Sequence, residues 1–245
     1  MGALTSFFIW VLEELYSVFQ SRRKANTYRN FIIFFAFLAL LLILLGSISS
    51  FVGFFTIAGS FSAAVPIYLL RNLRTWNIGA QGEEKVAEYL SHLDGSYSVI
   101  NDVVLPGMKG NIDHVIIGPE GVFVIETKNQ NGLIRCDGDS WIRQKIGRRG
   151  TPYFGDIGSP SKQVKRNAML LKSFIQDRFG TSPYVNGLVV FTSENAVLKI
   201  INPTVTVLRP QEIEDFLKNY RSKTPQVMKP EELETIIKPY SHFCQ

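Results

Sequence analysis

The chain has 245 residues, 46% of them hydrophobic, with 26 lysines and arginines against 21 aspartates and glutamates and a formal charge of +5. That length holds one ordinary domain plus a further segment; two cysteines, in no CxxC or Cys/His spacing, exclude a disulfide framework and give no sign of zinc. Six of the basic residues and two of the acidic ones fall in residues 1–80, so residues 81–245 are nearly neutral, and bulk positive charge is no argument for nucleic-acid binding by that part.

From the N-terminus, Leu4 to Gln20 sets Glu13, Glu14, Ser17 and Gln20 against Phe8, Val11, Leu12, Leu15 and Phe19, the pattern of an amphipathic helix at a membrane surface. Between Arg29 and Arg71 no residue is charged, a run of about 41 positions or about 60 Å of helix, twice the roughly 30 Å of a hydrocarbon core. Two spans are therefore expected, near Phe31 to Leu45 and Phe51 to Leu70. Arg22, Arg23, Lys24 and Arg29 before the run and Arg71 and Arg74 after it place both ends in the cytoplasm. The expectation is a basic, amphipathic segment over 1–28 and a two-helix transmembrane hairpin over 29–71, making a multi-pass protein whose partner there is the lipid bilayer.

Past a linker at 75–80, Gln81 to Leu93 reads as a helix with Val86, Ala87, Leu90 and Leu93 on its apolar stripe. Glu83 lies three, four and seven residues before Val86, Ala87 and Leu90, so its carboxylate is aimed inward, whereas Glu84 and Glu88 look outward. An inward acid there serves either the helix N-terminus or a site.

Ser96 to Leu105 is expected to be a strand leading to a hairpin. Ile112 to Ile117 and Val122 to Thr127 are β-rich, with turn chemistry at Gly118-Pro119-Glu120-Gly121 between them. A turn centred on Pro119-Glu120 pairs Ile117 with Val122, Val115 with Val124, Asp113 with Glu126 and Asn111 with Lys128, all on one face. Two carboxylates roughly 5 Å apart at Cβ, beside an ammonium, repel each other unless a cation or a proton intervenes. Hard carboxylate oxygens suit Mg²⁺, or Mn²⁺, with Asp113 and Glu126 as ligands. His114 points to the opposite face and reads as a packed or hydrogen-bonded core histidine.

Gly132 to Cys136 and Trp141 to Ile146 alternate like strands around a turn at Asp137-Gly138-Asp139, and Gly147 to Ser159 reads as loop. Pro160 opens a helix to about Arg178 with Gln163, Asn167, Leu170 and Phe174 on one side. Gln163 is a candidate for orienting a phosphate or the attacking water, or for a structural hydrogen bond to the sheet edge. Val185 to Thr192 is a buried strand joining in parallel, Val205 to Leu208 a short strand, and 210–220 and 230–240 terminal helices. The basic clusters Arg143, Lys145, Arg148, Arg149 and Lys162, Lys165, Arg166 fit solvated faces as well as phosphate tracks.

The ordered set Gly79-Ala80-Gln81-Gly82-Glu83, Ile112-Asp113-His114, Gly121-Val122-Phe123-Val124-Ile125-Glu126-Thr127-Lys128-Asn129 and Pro160-Ser161-Lys162-Gln163 resembles the NERD, or nuclease-related, domain of the PD-(D/E)XK nuclease-like superfamily. The resemblance covers residues 79–195, with Ile112 where the superfamily's name has proline. It implies an α/β, restriction-endonuclease-like mixed central sheet flanked by helices, with residues 196–245 packing on it. It also implies a metal-dependent nuclease whose catalytic set is Asp113, Glu126, Lys128, Glu83 and Gln163, and whose partner is nucleic acid, DNA more than RNA. The alternatives are a non-catalytic module on the same fold, binding nucleic acid, nucleotide or protein, and a scaffold in which the three charged side chains form only an ion-pair network.

Overall fold

Alternating Val, Ile and Phe side chains commit much of the chain to strands, because β-branched and aromatic residues fit a pleated, half-buried surface. The computed structural model describes residues 23–48, 53, 60, 65, 77–147, 150–181, 183–222 and 229–241. The chain divides into two units, Met1–Ala80 and Gln81–Gln245.

In the first unit, α1 (Arg23–Ile48) is a helix of 26 residues. Among the described residues no helix is long and apolar enough to cross a membrane. This overturns the transmembrane hairpin expected over 29–71, and with it the multi-pass localisation and the placement of the ends deduced from it, and leaves the bilayer as a partner through these residues without support. Absence of charge overstated the span: α1 is apolar without a break only from Phe31 to Leu45, about 15 residues or roughly 22 Å, short of the roughly 17–25 residues that a core about 30 Å thick requires. Residues 1–22 and, apart from positions 53, 60 and 65, residues 49–76 lie outside the described ones, so the amphipathic segment and the second span are not described.

A helix α2 runs over 77–91, beginning within the expected linker, and its residues from Gln81 on open the second unit. It is followed by β1 (Ser98–Val103), β2 (Ile112–Gly118), β3 (Gly121–Lys128), β4 (Gly132–Gly138), β5 (Ser140–Ile146) and β6 (Pro152–Gly155). Then come α3 (Pro160–Phe179), β7 (Val185–Phe191), β8 (Ala196–Pro203) and β9 (Thr206–Leu208), and, each next to a short 3₁₀ turn, α4 (Ile213–Asn219) and α5 (Pro230–Ile237). The expected mixed α/β architecture is present, its strands divided between two mixed sheets, ordered β1-β2-β3-β7-β9 and β6-β5-β4-β8. Two strands were unexpected. In β8, Val197 and Ile201 face out while Ala196 and Ile200 pack in, so apolar residues on both faces hide the period of two. The four-residue β6 sits in a stretch that Gly147, Gly150, Pro152, Gly155 and Gly158 mark as loop.

The register of the hairpin follows from its turn. Gly118 pairs with Gly121, Ile117 with Val122, Ile116 with Phe123, Val115 with Val124 and His114 with Ile125. β3 then pairs in parallel with β7, Val124 against Gly187 and Glu126 against Val189. One face of this sheet meets α3 and the second sheet through Val115, Ile117, Val122, Val124, Val164, Leu171 and Phe191. The other is covered by Val86 and Leu90 of α2 and Ile213 and Leu217 of α4, packed on Ile116, Phe123 and Ile125. α3 begins where Pro160 sets the first turn and Ser159 Oγ accepts from Lys162 N, and it ends at Gly180 in the left-handed region. Gly187 lets α3 approach: an added Cβ would lie 3.0 Å from Val164 Cγ1.

Both β3 and β7 leave the first sheet at the same point and enter the second side by side as β4 and β8, which pair in parallel. The twin crossovers are tied by Thr192 N–H to Lys128 O at 3.0 Å and Gly132 N–H to Asn195 O at 2.9 Å. The Arg209 guanidinium donates to the carbonyls of Phe191 (3.3 Å), Ser193 (2.7 Å) and Ala196, fixing the bend.

Candidate active site

β3 alternates, so Val122, Val124, Glu126 and Lys128 project to one face, and the last two reach its end where the apolar core thins. Glu126 is 6% exposed. Its Oε1 accepts from Lys128 Nζ at 2.7 Å, two residues along the same strand face. The ammonium offsets part of the cost of burying this carboxylate.

Asp113 stands beside this pair because the β2–β3 ladder has its last backbone pair at His114 and Ile125. At the next position the Asp113 carboxylate takes over as acceptor, with Thr127 N–H donating to Oδ2 at 2.7 Å. Asn111, expected opposite Lys128, instead donates from Nδ2 to Asp102 Oδ1 at 2.8 Å. Burial pushes the Asp113 carboxyl well above its ordinary range, and the charges of Glu126 and then Glu83 push it further; the Thr127 N–H and Lys128 act against them. Asp113, Glu126 and Glu83 therefore share one electrostatic field.

Glu83 reaches that field although α2 covers the opposite face of the sheet, because the start of α2 passes the ends of β3 and β7. Gly82 marks the contact: a Cβ there would lie 2.7 Å from Asn129 Cβ and 2.9 Å from Thr192 Oγ1. Glu83 is half-buried, whereas Glu84 and Glu88 are exposed, the orientation that the stripe of α2 dictates.

Gln163 is half-buried in the first turn of α3, and the inward face of that helix runs instead through Ser161, Val164, Asn167, Ala168, Leu171 and Ile175. Lys165 belongs to structure: its Nζ holds both carboxylate oxygens of Asp139 at 2.9 Å. Hydrogen bonds from Thr204, Ser161 and Lys165 hold the Asp139 carboxyl well below the usual range. His114, 2% exposed, meets Asn101 Oδ1 through Nδ1 at 2.7 Å, a core histidine. Sequence reasoning passed over Gln130, two residues beyond Lys128, whose buried Oε1 meets no hydrogen-bond donor among the described residues. The polar run Asn129-Gln130-Asn131 directly after a buried strand was the signal.

The donor chemistry suits a hard divalent cation. Carboxylates in a shared, partly buried field, one of them driven toward its protonated form, have an excess of negative charge that a cation relieves. Among the described residues no three His, Cys, Asp or Glu side chains are drawn close enough to form a metal group as they stand. A cation held here would draw chiefly on Asp113 and Glu126, and would take further ligands from water or substrate.

The family model of the nuclease-related domain matches residues 78–192. An uncharacterised protein of Bacillus anthracis is 45% identical over 60 residues, which is 23% of this chain and 28% of that protein, so the chain spans little more than a quarter of that relative. No solved structure matches.

Proposed function

From the premise that residues 78–192 are a nuclease-related domain of the PD-(D/E)XK nuclease-like superfamily, we propose that this chain hydrolyses phosphodiester bonds of nucleic acid with the help of Mg²⁺ or Mn²⁺. The observation that carries the reading is the meeting of Asp113, Glu126 and Lys128 at one end of the β2–β3 hairpin, with Asp113 held by the Thr127 N–H and Lys128 held by Glu126.

Asp113 and Glu126 would hold the cation. When bound, the cation supplies Lewis-acid polarisation of a phosphoryl oxygen and a more acidic water. Lys128 contributes a point charge on a flexible stem, and from its place beside Glu126 it neutralises negative charge that develops on phosphorus. Glu83 adds a carboxylate to the same field, suited to hold an outer water or accept its proton. Gln163 is assigned the orientation of a phosphate or of the attacking water. The half-buried setting matters because charge interactions strengthen where water is excluded.

The test is incubation of the full chain with labelled single- and double-stranded DNA and RNA in Mg²⁺, Mn²⁺ or chelator. Cutting that needs the metal supports the proposal. Salt-sensitive binding with no cutting in either metal contradicts it and leaves a non-catalytic binding module.

A further inference from the structure

We propose that Arg143, Lys145 and Tyr153, on the β5–β6 hairpin, form a second binding element that grips the sugar–phosphate backbone of a nucleic-acid strand beside the carboxylate site; this rests on the phosphodiester reading above. Strand alternation puts Trp141, Arg143 and Lys145 on one face of β5. That face begins in the core that also underlies Glu126: Trp141 is buried and stacks on Phe191, ring centres 5.7 Å apart, and Phe191 is the β7 partner of Lys128. Toward its other end the apolar residues give way to two cations.

The link to the site is direct. Arg143 donates from Nε to Asn131 O at 2.8 Å and from Nη2 to Asn131 Oδ1 at 2.7 Å, and Asn131 lies three residues past Lys128 in the β3–β4 crossover. Lys145 runs alongside the same crossover: a Cβ on Gly132, which has φ +99°, would lie 3.3 Å from Lys145 Cγ and 2.5 Å from Gln144 O. Tyr153 is the β6 partner of Lys145 and is 49% exposed.

Two half-buried cations side by side are an uncompensated charge. Burial lowers the affinity of both for a proton, and Arg143 lowers that of Lys145 further. Among the described residues no carboxylate forms a salt bridge with either; the described pairs engage Lys85, Lys128, Lys165, Lys218 and Lys238. Cations without a carboxylate, next to an accessible aromatic ring, match a polyanion that also offers a base to stack. An acidic peptide would satisfy the cations and leave the ring idle.

The test is fluorescence anisotropy of a labelled single-stranded oligonucleotide with the full chain in chelator, across a salt series, so that cutting plays no part. The Arg143→Ala/Lys145→Ala double variant is expected to bind about tenfold or more weakly at moderate salt and to lower the log–log salt slope by about 1.4, or roughly 0.7 for each phosphate that is no longer neutralised. Tyr153→Ala is expected to weaken binding with the slope unchanged. Because Arg143 also braces Asn131, Lys145→Ala alone, checked by its melting curve, is the variant that decides if the double one unfolds. Equal affinity and slope for wild type and Lys145→Ala would overturn the subsite, as would equally tight, Lys145-dependent capture of poly-glutamate. Binding that depends on Arg143 and Lys145 in a protein that never cuts would sink the hydrolytic reading and keep the subsite. Unchanged binding in a protein that does cut would sink the subsite alone.

Discussion

The backbone N–H of Thr127 donates to Asp113 Oδ2 at 2.7 Å, one position beyond the last backbone pair of the β2–β3 ladder. A side chain has replaced a main-chain carbonyl as acceptor, and this anchors the acid at the strand end that carries Glu126 and Lys128. Asp113→Asn keeps an oxygen for that N–H and is expected to fold normally; Asp113→Ala strands it and is expected to lose about 1–3 kcal/mol in urea denaturation. Both should lose activity. A stability loss as large in Asp113→Asn as in Asp113→Ala would tell against the anchoring role.

The raised proton affinity of Asp113 fixes a sign for stability against pH. Its pKa is higher folded than unfolded, so between the two values the folded state binds the extra proton. Its stabilising contribution is then complete below the unfolded value near 3.8 and is lost as pH rises through the folded one. In chelator, Asp113→Asn is therefore expected to gain melting temperature over wild type at neutral pH, with the gain shrinking toward pH 4. Cation binding must displace the same proton, so Mn²⁺ affinity is expected to rise with pH in wild type and to lose that dependence in the variant.

Gly82 is where α2 meets the two crossovers. A methyl group there would lie 2.7 Å from Asn129 Cβ, so the helix start must shift, and Glu83 with it. Gly82→Ala is expected to cost about 1–3 kcal/mol and to lower activity well beyond what that loss of folded protein explains. Melting curves and turnover measured together check this; full turnover in a stably folded variant would remove Glu83 from the account.

Among the described residues the Arg209 guanidinium donates to carbonyls, those of Phe191, Ser193 and Ala196, and through them sets the bend next to Lys128. Arg209→Lys cannot span them with one ammonium and is expected to cost about 2–3 kcal/mol, read by chemical denaturation. Charge retention should not rescue it.

The placement of most candidate residues was legible because a period of two leaves little choice. Once Pro119-Glu120 was the turn, the faces of Asp113, Glu126 and Lys128 followed, and a period of 3.6 turned Glu83 inward. The division into two sheets was not legible. It depends on β3 and β7 bending together at Lys128 and Thr192, held by Arg209 from a distant part of the chain, and no local pattern reports that. The membrane hairpin failed for a different reason: absence of charge does not give apolar length, and the unbroken apolar part of α1 runs only from Phe31 to Leu45 before Gly46-Ser47. Gln163 stood at the edge of its helix's buried face because the stripe drawn through Leu170 and Phe174 was rotated from the one that Val164, Leu171 and Ile175 form.

The most direct measurement is the single-turnover cleavage rate of an end-labelled oligonucleotide in Mn²⁺ by the full wild-type chain and by Glu126→Gln, which keeps the side chain's shape and removes its charge. Wild type is expected to cut only with the metal, and the variant, compared per folded molecule from its melting curve, at least about a hundredfold more slowly. Equal rates for the two proteins, or wild-type cutting that persists in chelator, would contradict the account.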